Sequence, residues 1–333
     1  MTATSTNTKM TMKAIVQDTY GSFEVLEPRD IDRPDTGDDE VLVRVKAAGV
    51  NPADWAIMNG LPYIARPVYG LRRPKNPVRG TDIAGVIEAV GANVSGFLPG
   101  DEVFGSADGS YAEYAAASED RLAPKPANLT FEQAAAVPMA GLVALQAVRD
   151  HGNVQPGQRV LINGASGGIG HLAVQIARSH GAHVTGVCSS RNVDLVRSMG
   201  AETVIDYTQE DFTRGDVRYD FILDNVANHS LSELRRVLSP GGTLVPNGGG
   251  FDNRWFASGG RVIHAHILKR LAKRNLRPFL VSYRRADLTA LSQLISAGSV
   301  SPVIDRTYPL NEAAQALRRV GEGHTAGKVV IRV

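Results

Sequence analysis

Cysteine is nearly absent from this 333-residue chain: Cys188 stands alone, so no internal disulfide can form and no zinc site can be built from several thiolates. Charge of one sign is not in excess either. The 36 Lys and Arg balance 34 Asp and Glu to a net +2, which gives no reason to expect nucleic acid or a membrane surface as the main partner. No apolar run approaches the roughly 18 residues of a bilayer span. Residues 1–11 are rich in Thr and Ser without an apolar core, unlike a secretory signal. They read as a tail, the fold is expected to start near Met12, and the cytoplasm is the expected compartment. What remains is a soluble globular composition, 43% apolar and 21% charged, in a chain long enough for about two domains.

The most informative stretch is Asn163-Gly164-Ala165-Ser166-Gly167-Gly168-Ile169-Gly170. Pro156-Gly157 marks a turn before it, and Arg159-Val160-Leu161-Ile162 reads as a buried strand. After it, Ile169, Leu172, Ala173, Ile176 and Ala177 recur on one helix face. Gly181 ends that helix, and His183 to Cys188 reads as a second strand. A strand–turn–helix–strand unit of this length is the sequence form of a dinucleotide site. Glycines let the backbone approach a pyrophosphate, and the helix N-terminus offers it unpaired N–H groups.

Two textures divide the chain. Up to about residue 130, short strands alternate with Gly and Pro turns: Lys13–Val16, Glu40–Ala48 with Val41, Val43, Val45 and Ala47 on one face, Asp82–Val90, Asp101–Phe104 and Tyr111–Ala116. A β-barrel with irregular loops is expected there. Thr130-Phe131-Glu132-Gln133 has capping-box spacing and predicts a helix to about Arg149. From Gln158 strands and helices alternate, with strands at Thr203–Asp206, Tyr219–Asp224 and Thr243–Val245, and Phe279–Ser282 with a helix over Ala286–Ala297 completing the set. Such alternation predicts a parallel sheet covered on both faces. The segment Val303–Val333 is assigned back to the first domain.

These features together resemble the medium-chain dehydrogenase/reductase superfamily, and within it the zinc-independent quinone oxidoreductase and enone reductase branch. The resemblance runs from Met12 to Val333 and is carried by Ala48-Gly49-Val50-Asn51-Pro52-Ala53-Asp54, Gly80-Thr81-Asp82-Ile83-Ala84-Gly85-Val86, Pro99–Phe104, Ala134–Pro138 and the glycine turn. It implies an α/β fold: a GroES-like, partly open β-barrel catalytic domain over 1–132 and 299–333, and a Rossmann domain with a doubly wound parallel sheet over 133–298. It also implies a cofactor cleft between them and a homodimer formed partly through the Rossmann sheet.

Zinc-dependent members carry a cysteine shortly after the Ala-Gly-Val stretch and a Gly-His-Glu further on. This chain has Asn51 and Thr81-Asp82 in those regions, a poor ligand set for zinc. His264 and His266, two apart, would point to different faces of a helix. No metal is expected, and hydride delivery to a quinone or to a C=C conjugated with a carbonyl fits better than alcohol–ketone interconversion.

For the cofactor, the second strand runs into Cys188-Ser189-Ser190-Arg191-Asn192, with no carboxylate until Asp194. Hydroxyls and a guanidinium suit a 2′-phosphate, so NADPH is expected on Ser189, Ser190 and Arg191. Gly164, Ala165, Ser166, Gly167, Gly168, Ile169 and Gly170 would cradle its pyrophosphate. Tyr207 resembles a residue lining the adenosine end. Asn225, Val226, Gly248 and Gly249 follow strands and would flank the nicotinamide half. Lys328 is either a cofactor contact or a surface lysine.

At the reacting end, the resemblance makes Asn51 the donor beside the nicotinamide. Asp54 either orients that loop or caps the helix near Trp55. Tyr63 is the expected proton donor, although its spacing departs from relatives by about a residue with Pro62 intervening. Trp55, Ile57, Met58 and Leu61 are read as the apolar wall of an acceptor pocket, or some of them equally as core. Val143 stands where relatives often carry Thr. Arg66, Arg72, Arg73, Lys75 and Arg79 read as a solvated basic rim, or as an attractor for an anionic substrate. A rival reading is an NADPH-binding sensor or structural protein without turnover. No tyrosine has Lys four residues on, which argues against a short-chain dehydrogenase.

Overall fold

The structure is a computed structural model that describes residues 10–247 and 276–333. Along the chain its elements are β1 (Thr11–Val16), β2 (Glu27–Asp32), β3 (Glu40–Val50), α1 (Pro52–Met58), α2 (Arg66–Tyr69), β4 (Asp82–Val90), β5 (Glu102–Ser106), β6 (Tyr114–Ser118) and β7 (Leu122–Pro124). Then come α3 (Phe131–Ala135), α4 (Pro138–Leu145), β8 (Arg159–Asn163), α5 (Gly170–Ser179), β9 (His183–Cys188), α6 (Val193–Ser198) and β10 (Thr203–Asp206). The rest are β11 (Tyr219–Asp224), α7 (Leu231–Arg236), β12 (Leu238–Pro246), α8 (Arg285–Ser296), β13 (Ile304–Pro309), α9 (Ala313–Gly321) and β14 (Lys328–Arg332).

The first sheet runs β13-β14-β3-β4-β5-β7, with β6 also on β3. Strand β3 organises it. Val41, Val43 and Val45 point into a core with Ile83, Ile87, Val103 and Leu122, as their alternation predicts. A register shift between Val45 and Ala47 follows. Beyond this bulge the side chains turn elsewhere: Ala47 joins the large core beneath α4 and α5, while Ala48 and Val50 join the cluster between α1 and α9. One strand thus feeds three cores and delivers Asn51 where they meet. The C-terminal assignment holds: β14 pairs antiparallel with the end of β3, and β13 lies parallel beside β14.

The second sheet is parallel throughout, in the order β10-β9-β8-β11-β12. The chain moves one way from β8 through β9 to β10, then returns to the other side of β8 with β11. The carboxyl ends of β8 and β11 therefore flank the switch point where such sheets bind ligands.

Two expectations are corrected. The single helix over 130–149 is broken: α3 ends at Ala135, Pro138 opens α4, and Gln146–His151 forms a π-helical turn. Proline lacks the N–H that would continue the helix and disfavours helical backbone before it. Phe279–Ser282 is not a strand; Leu276 makes one parallel bridge to Leu244 and the pairing stops there. Pro278 has no N–H to extend the ladder.

Candidate active site

Asn51, at the end of β3, is only 2% exposed. Its backbone N–H donates to Asp54 Oδ2 at 2.8 Å, closing the first turn of α1. Asn51 Nδ2 donates to Asp82 Oδ2 at 3.0 Å, and its Oδ1 accepts from Lys328 Nζ. Lys328 Nζ also donates to Val50 O at 2.9 Å and lies 3.8 Å from Asp82 Oδ2. The surface-lysine reading is therefore overturned, since Lys328 is 3% exposed. The broken helix supplies the last partner: Met139 N–H, in the first turn of α4, faces both oxygens of Asp82 at 3.2 and 3.3 Å. Helix N-termini carry spare donors, and Pro138 places one here.

The electrostatics follow from burial. Burial pushes the Asp82 carboxyl up to about 6, opposed by Lys328 and the Asn51 amide. Burial likewise pulls the Lys328 ammonium down, opposed by Asp82 and Asp54. Asp54 is raised by burial against the pull of the Asn51 N–H and the Tyr111 hydroxyl. Tyr111 O–H donates to Asp54 Oδ2 at 3.0 Å, which locks α1 to the barrel floor. The capping reading of Asp54 is corrected: α1 starts at Pro52 with Asn51 as its N-cap, and Asp54, at the third helical position, accepts the Asn51 N–H and so ties down the residue before the helix.

For Trp55 and Met58 the core reading holds. Met58 is fully buried among Ile15, Leu26, Tyr111 and Leu317, and Trp55 packs on Gly321 of α9, so both belong to the core. Tyr63 is half-buried at the start of a 3-10 turn, with the Arg66 guanidinium 4.5 Å over its ring. Arg66 also covers Tyr20 and donates to Gly60 O. Arg79 is not part of a solvated rim. It is 7% exposed, its Nη2 donates to Asn76 O, and its Nε has no partner among the described residues. Arg72, Arg73 and Lys75 are exposed along the 63–80 loop. Val143 is buried in α4.

Gly164 takes a left-handed φ of 75° after β8, open to glycine and strained for other residues. Ala165 N–H donates to Val187 O and Gly167 N–H to Gly164 O, so the turn closes tightly before α5 begins. Cβ atoms at Gly170 would meet Gly164 and Ala165 backbone at 2.8 Å. Opposite, Asn225 donates twice to Asn163 O, and Asp224 Oδ1 accepts from Asn163 Nδ2, Val226 N–H and Ala227 N–H. The half-exposed Val226 side chain then faces Gly164. Gly327 N–H donates to Ser166 O at 2.8 Å, and Lys328 Cδ lies against Gly168. The glycine turn and the Asn51 cluster are thus joined through two adjacent residues.

Ser189, Ser190 and Arg191 follow β9 as expected. Ser190 Oγ donates to Asp206 Oδ2, Asn192 Nδ2 donates to Ser166 Oγ at 3.0 Å, and Arg191 Nη2 reaches His324 O at 3.1 Å. Tyr207 is exposed beside them. The carboxylate near this corner is Asp206, from the end of the neighbouring β10. The sequence around β9 does not announce it, because adjacency across a parallel sheet is not local in sequence. Asp206 also accepts from Thr208 N–H and Oγ1, and the Ser190 hydroxyl holds it ionised below the usual range. Gly248, Gly249, His264 and His266 lie outside the described residues. Among the described residues no three His, Cys, Asp or Glu side chains converge as metal ligands.

Two further groups escaped the sequence reading. His171, in the first turn of α5, is fully buried; its Nδ1–H donates to Gly167 O at 3.0 Å and its Nε2 has no partner among the described residues. Tyr283 hides its hydroxyl without a partner among them. Neither belongs to a recognisable spacing.

Comparison with known proteins agrees with this geometry. Residues 37–127 match the alcohol dehydrogenase GroES-like domain family and residues 199–331 the zinc-binding dehydrogenase family. The chain is 31% identical to the spinach chloroplastic quinone-oxidoreductase homolog, over 96% of this chain and 98% of that one. It is 34% identical to the mouse mitochondrial NAD(P)H oxidoreductase RTN4IP1, over 97% and 89%. The structure of the quinone oxidoreductase from Coxiella burnetii superposes with a TM-score of 0.85 at 31% identity, covering 97% of this chain and all of that one. The chain belongs to the medium-chain dehydrogenase/reductase superfamily, in its quinone oxidoreductase branch.

Proposed function

We propose that this protein is an NADPH-dependent oxidoreductase that passes hydride to a quinone or to a C=C conjugated with a carbonyl, without help from a metal ion. The carrying observation is the junction of Gly327 and Lys328 with both the glycine turn and Asn51. It ties the glycine turn to a buried polar cluster, which supports a cofactor lying over the one with its reacting end beside the other. In that cluster an ammonium, an amide and a carboxylate satisfy one another, and the fixed cation beside Asp82 is Lys328.

The residues fit the cofactor. The Gly164–Gly170 turn and the α5 N-terminus offer close backbone and spare N–H groups to a pyrophosphate. Ser189, Ser190 and Arg191 would take the 2′-phosphate, Tyr207 the adenosine, and Asn225, Val226, Gly248 and Gly249 the nicotinamide half. NADPH, when bound, supplies the hydride. Asn51 Nδ2 carries two hydrogens, of which Asp82 takes one. The other is available to an enolate or quinol oxygen, held in place by Lys328 on the far side of the amide. Asp54 positions that loop, and Tyr63 is the proton donor in this reading. A homodimer, a small electrophilic acceptor as sole partner class and a cytoplasmic setting complete the proposal. The near-neutral charge supports the absence of nucleic-acid and membrane partners, and no helix among the described residues is long and apolar enough to cross a membrane.

The test is NADPH oxidation with 1,4-benzoquinone, cyclohexenone, an enal and a saturated ketone. Turnover of the first three is expected, with Asn51→Ala slower by about 10²-fold, the scale of one lost oxyanion donor. Turnover of the saturated ketone alone would make this an alcohol–ketone enzyme. NADPH binding with no turnover would make it a sensor.

A further inference from the structure

Tyr283 lies on the segment between Pro278 and α8, on the Rossmann side of the cleft. Its backbone is held firmly. Gln146, 1% exposed at the end of α4, donates from Nε2 to Ser282 O at 2.7 Å and accepts from Ser282 N–H at 3.1 Å. The same amide donates to Asp287 Oδ2 at 2.9 Å, and Asp287 accepts from Arg149. The ring is held from the barrel side, where the Arg121 guanidinium sits 5.4 Å over it. Arg121 Nε donates to Ser106 Oγ at 3.0 Å, and Ser106 is the residue directly opposite Asp82 in the β4–β5 ladder. Tyr283 is thus linked, through Arg121 and Ser106, to the strand position paired with Asp82. At the end of this well-supported arm, its hydroxyl is buried and has no hydrogen-bond partner among the described residues.

Folded chains seldom leave a buried hydroxyl unmatched, because its lost hydration goes uncompensated. Nothing in the packing requires this oxygen; phenylalanine would fill the same volume. We propose that the Tyr283 hydroxyl is a substrate-binding donor, which hydrogen-bonds the carbonyl oxygen of the acceptor across the cleft from Asn51. This rests on the oxidoreductase reading and narrows it to acceptors whose reacting carbon is conjugated to a carbonyl, enones and quinones alike. The hydroxyl keeps its proton throughout. Burial, then the Asp82 and Asp54 carboxylates, disfavour the phenolate and hold the group as a donor well above its ordinary range. The proton that completes reduction comes from elsewhere.

Tyr283→Phe tests the assignment, with Tyr63→Phe as the comparison. Tyr283→Phe is expected to fold with an unchanged or raised Tm and to bind NADPH within about two-fold of wild type. Its kcat/KM for cyclohexenone should fall about 10- to 100-fold, the lower range for one hydrogen-bond donor to a developing oxyanion. Infrared spectra of cyclohexanone bound to the NADP+ complex supply the direct signature. The C=O stretch should be lowered in wild type and in Tyr63→Phe, and should move back in Tyr283→Phe. An active wild type whose Tyr283→Phe variant keeps both rate and stretch overturns the assignment. So does a rate loss accounted for by weaker NADPH binding. Wild type that oxidises NADPH with no acceptor instead overturns the oxidoreductase reading beneath it.

Discussion

Lys328 donates a hydrogen bond to Asn51, a residue 277 positions earlier in the chain, and both side chains are almost fully buried. The last strand of the first sheet thus holds the amide that the proposed chemistry uses. Lys328→Met keeps the aliphatic stem and removes the cation. Breaking a buried ion pair from one side costs about 3–5 kcal/mol, so the variant should unfold several degrees below wild type. The sign of its pH dependence follows from Asp82. Its folded pKa of about 6 exceeds the model-peptide 3.8, so its contribution is fully present below about 4 and lost as pH rises through 6. Without Lys328 the carboxyl rises further and more is lost. The Tm gap between variant and wild type should widen from pH 5 to pH 8; a constant gap would refute this account of the cluster.

Cofactor choice rests on the corner after β9. Arg191→Ala removes the guanidinium that follows β9, and hydrogen bonds to charged groups contribute about 1.5–3 kcal/mol. The expected outcome is a roughly 10- to 100-fold fall in kcat/KM for NADPH with little change for NADH. Equal losses with both would take Arg191 out of 2′-phosphate binding. Ser190→Ala should act differently, freeing Asp206 from its hydroxyl partner and improving relative use of NADH.

His171 should set an acid limit on stability. Burial holds its folded pKa down to about 4, against 6.5 for the free side chain. A base with a depressed folded pKa contributes stability present above about 6.5 and lost as pH falls to about 4. The difference corresponds to ~3 kcal/mol. Urea unfolding of His171→Gln at pH 4.5, 5.5 and 7 should show a shallower loss on acidification than wild type. Parallel curves would mean that other groups govern the acid limb.

Gly170→Ala tests the cradle itself. The new Cβ would sit 2.8 Å from backbone atoms of Gly164 and Ala165, and backbone cannot yield as a flexible side chain does. The turn must open, so NADPH affinity should drop at least about ten-fold, with a loss of Tm of the few degrees that small-to-large strain produces. Gly157→Ala, at another glycine with open space around it, should leave NADPH affinity intact and lower only stability. Calorimetric titration of both variants separates the two outcomes.

How much of this was legible in the sequence varies with the range of the interaction. The glycine turn and the Val41–Val45 alternation are written in local pattern, and the return of residues 303–333 to the first sheet in motif order, and they stand; Ala47, expected on the same face, is turned into another core by the bulge after Val45. The break at Pro138 was visible as a proline inside an alanine-rich run, but its use was not, because Met139 N–H acquires meaning only when Asp82 lies opposite it. Asp82 stands in the Gly80–Val86 motif, but its role depends on Asn51, Lys328 and Met139, which are remote from it in sequence. Arg79 read as rim charge, and for Lys328 a surface position stood level with a cofactor or loop contact, because composition assigns cations to solvent; their burial depends on carboxylates brought from β4 and α1. Asp206 reaches the Ser190 corner only through pairing of β9 with β10. Tyr283 had no periodicity to announce it.

The pairing of β14 with the end of β3 also has a consequence for biosynthesis. On the ribosome the amino-terminal half emerges first, yet its sheet waits for some 280 further residues before its partner strand is translated. The nucleotide-binding half, made of neighbouring βα units, can settle in the meantime. Pulse-labelled hydrogen exchange during refolding should accordingly show amides of Val160–Ile162 shielded before those of Ala48–Val50, so that the chain acquires its cofactor shelf earlier than its reaction chamber.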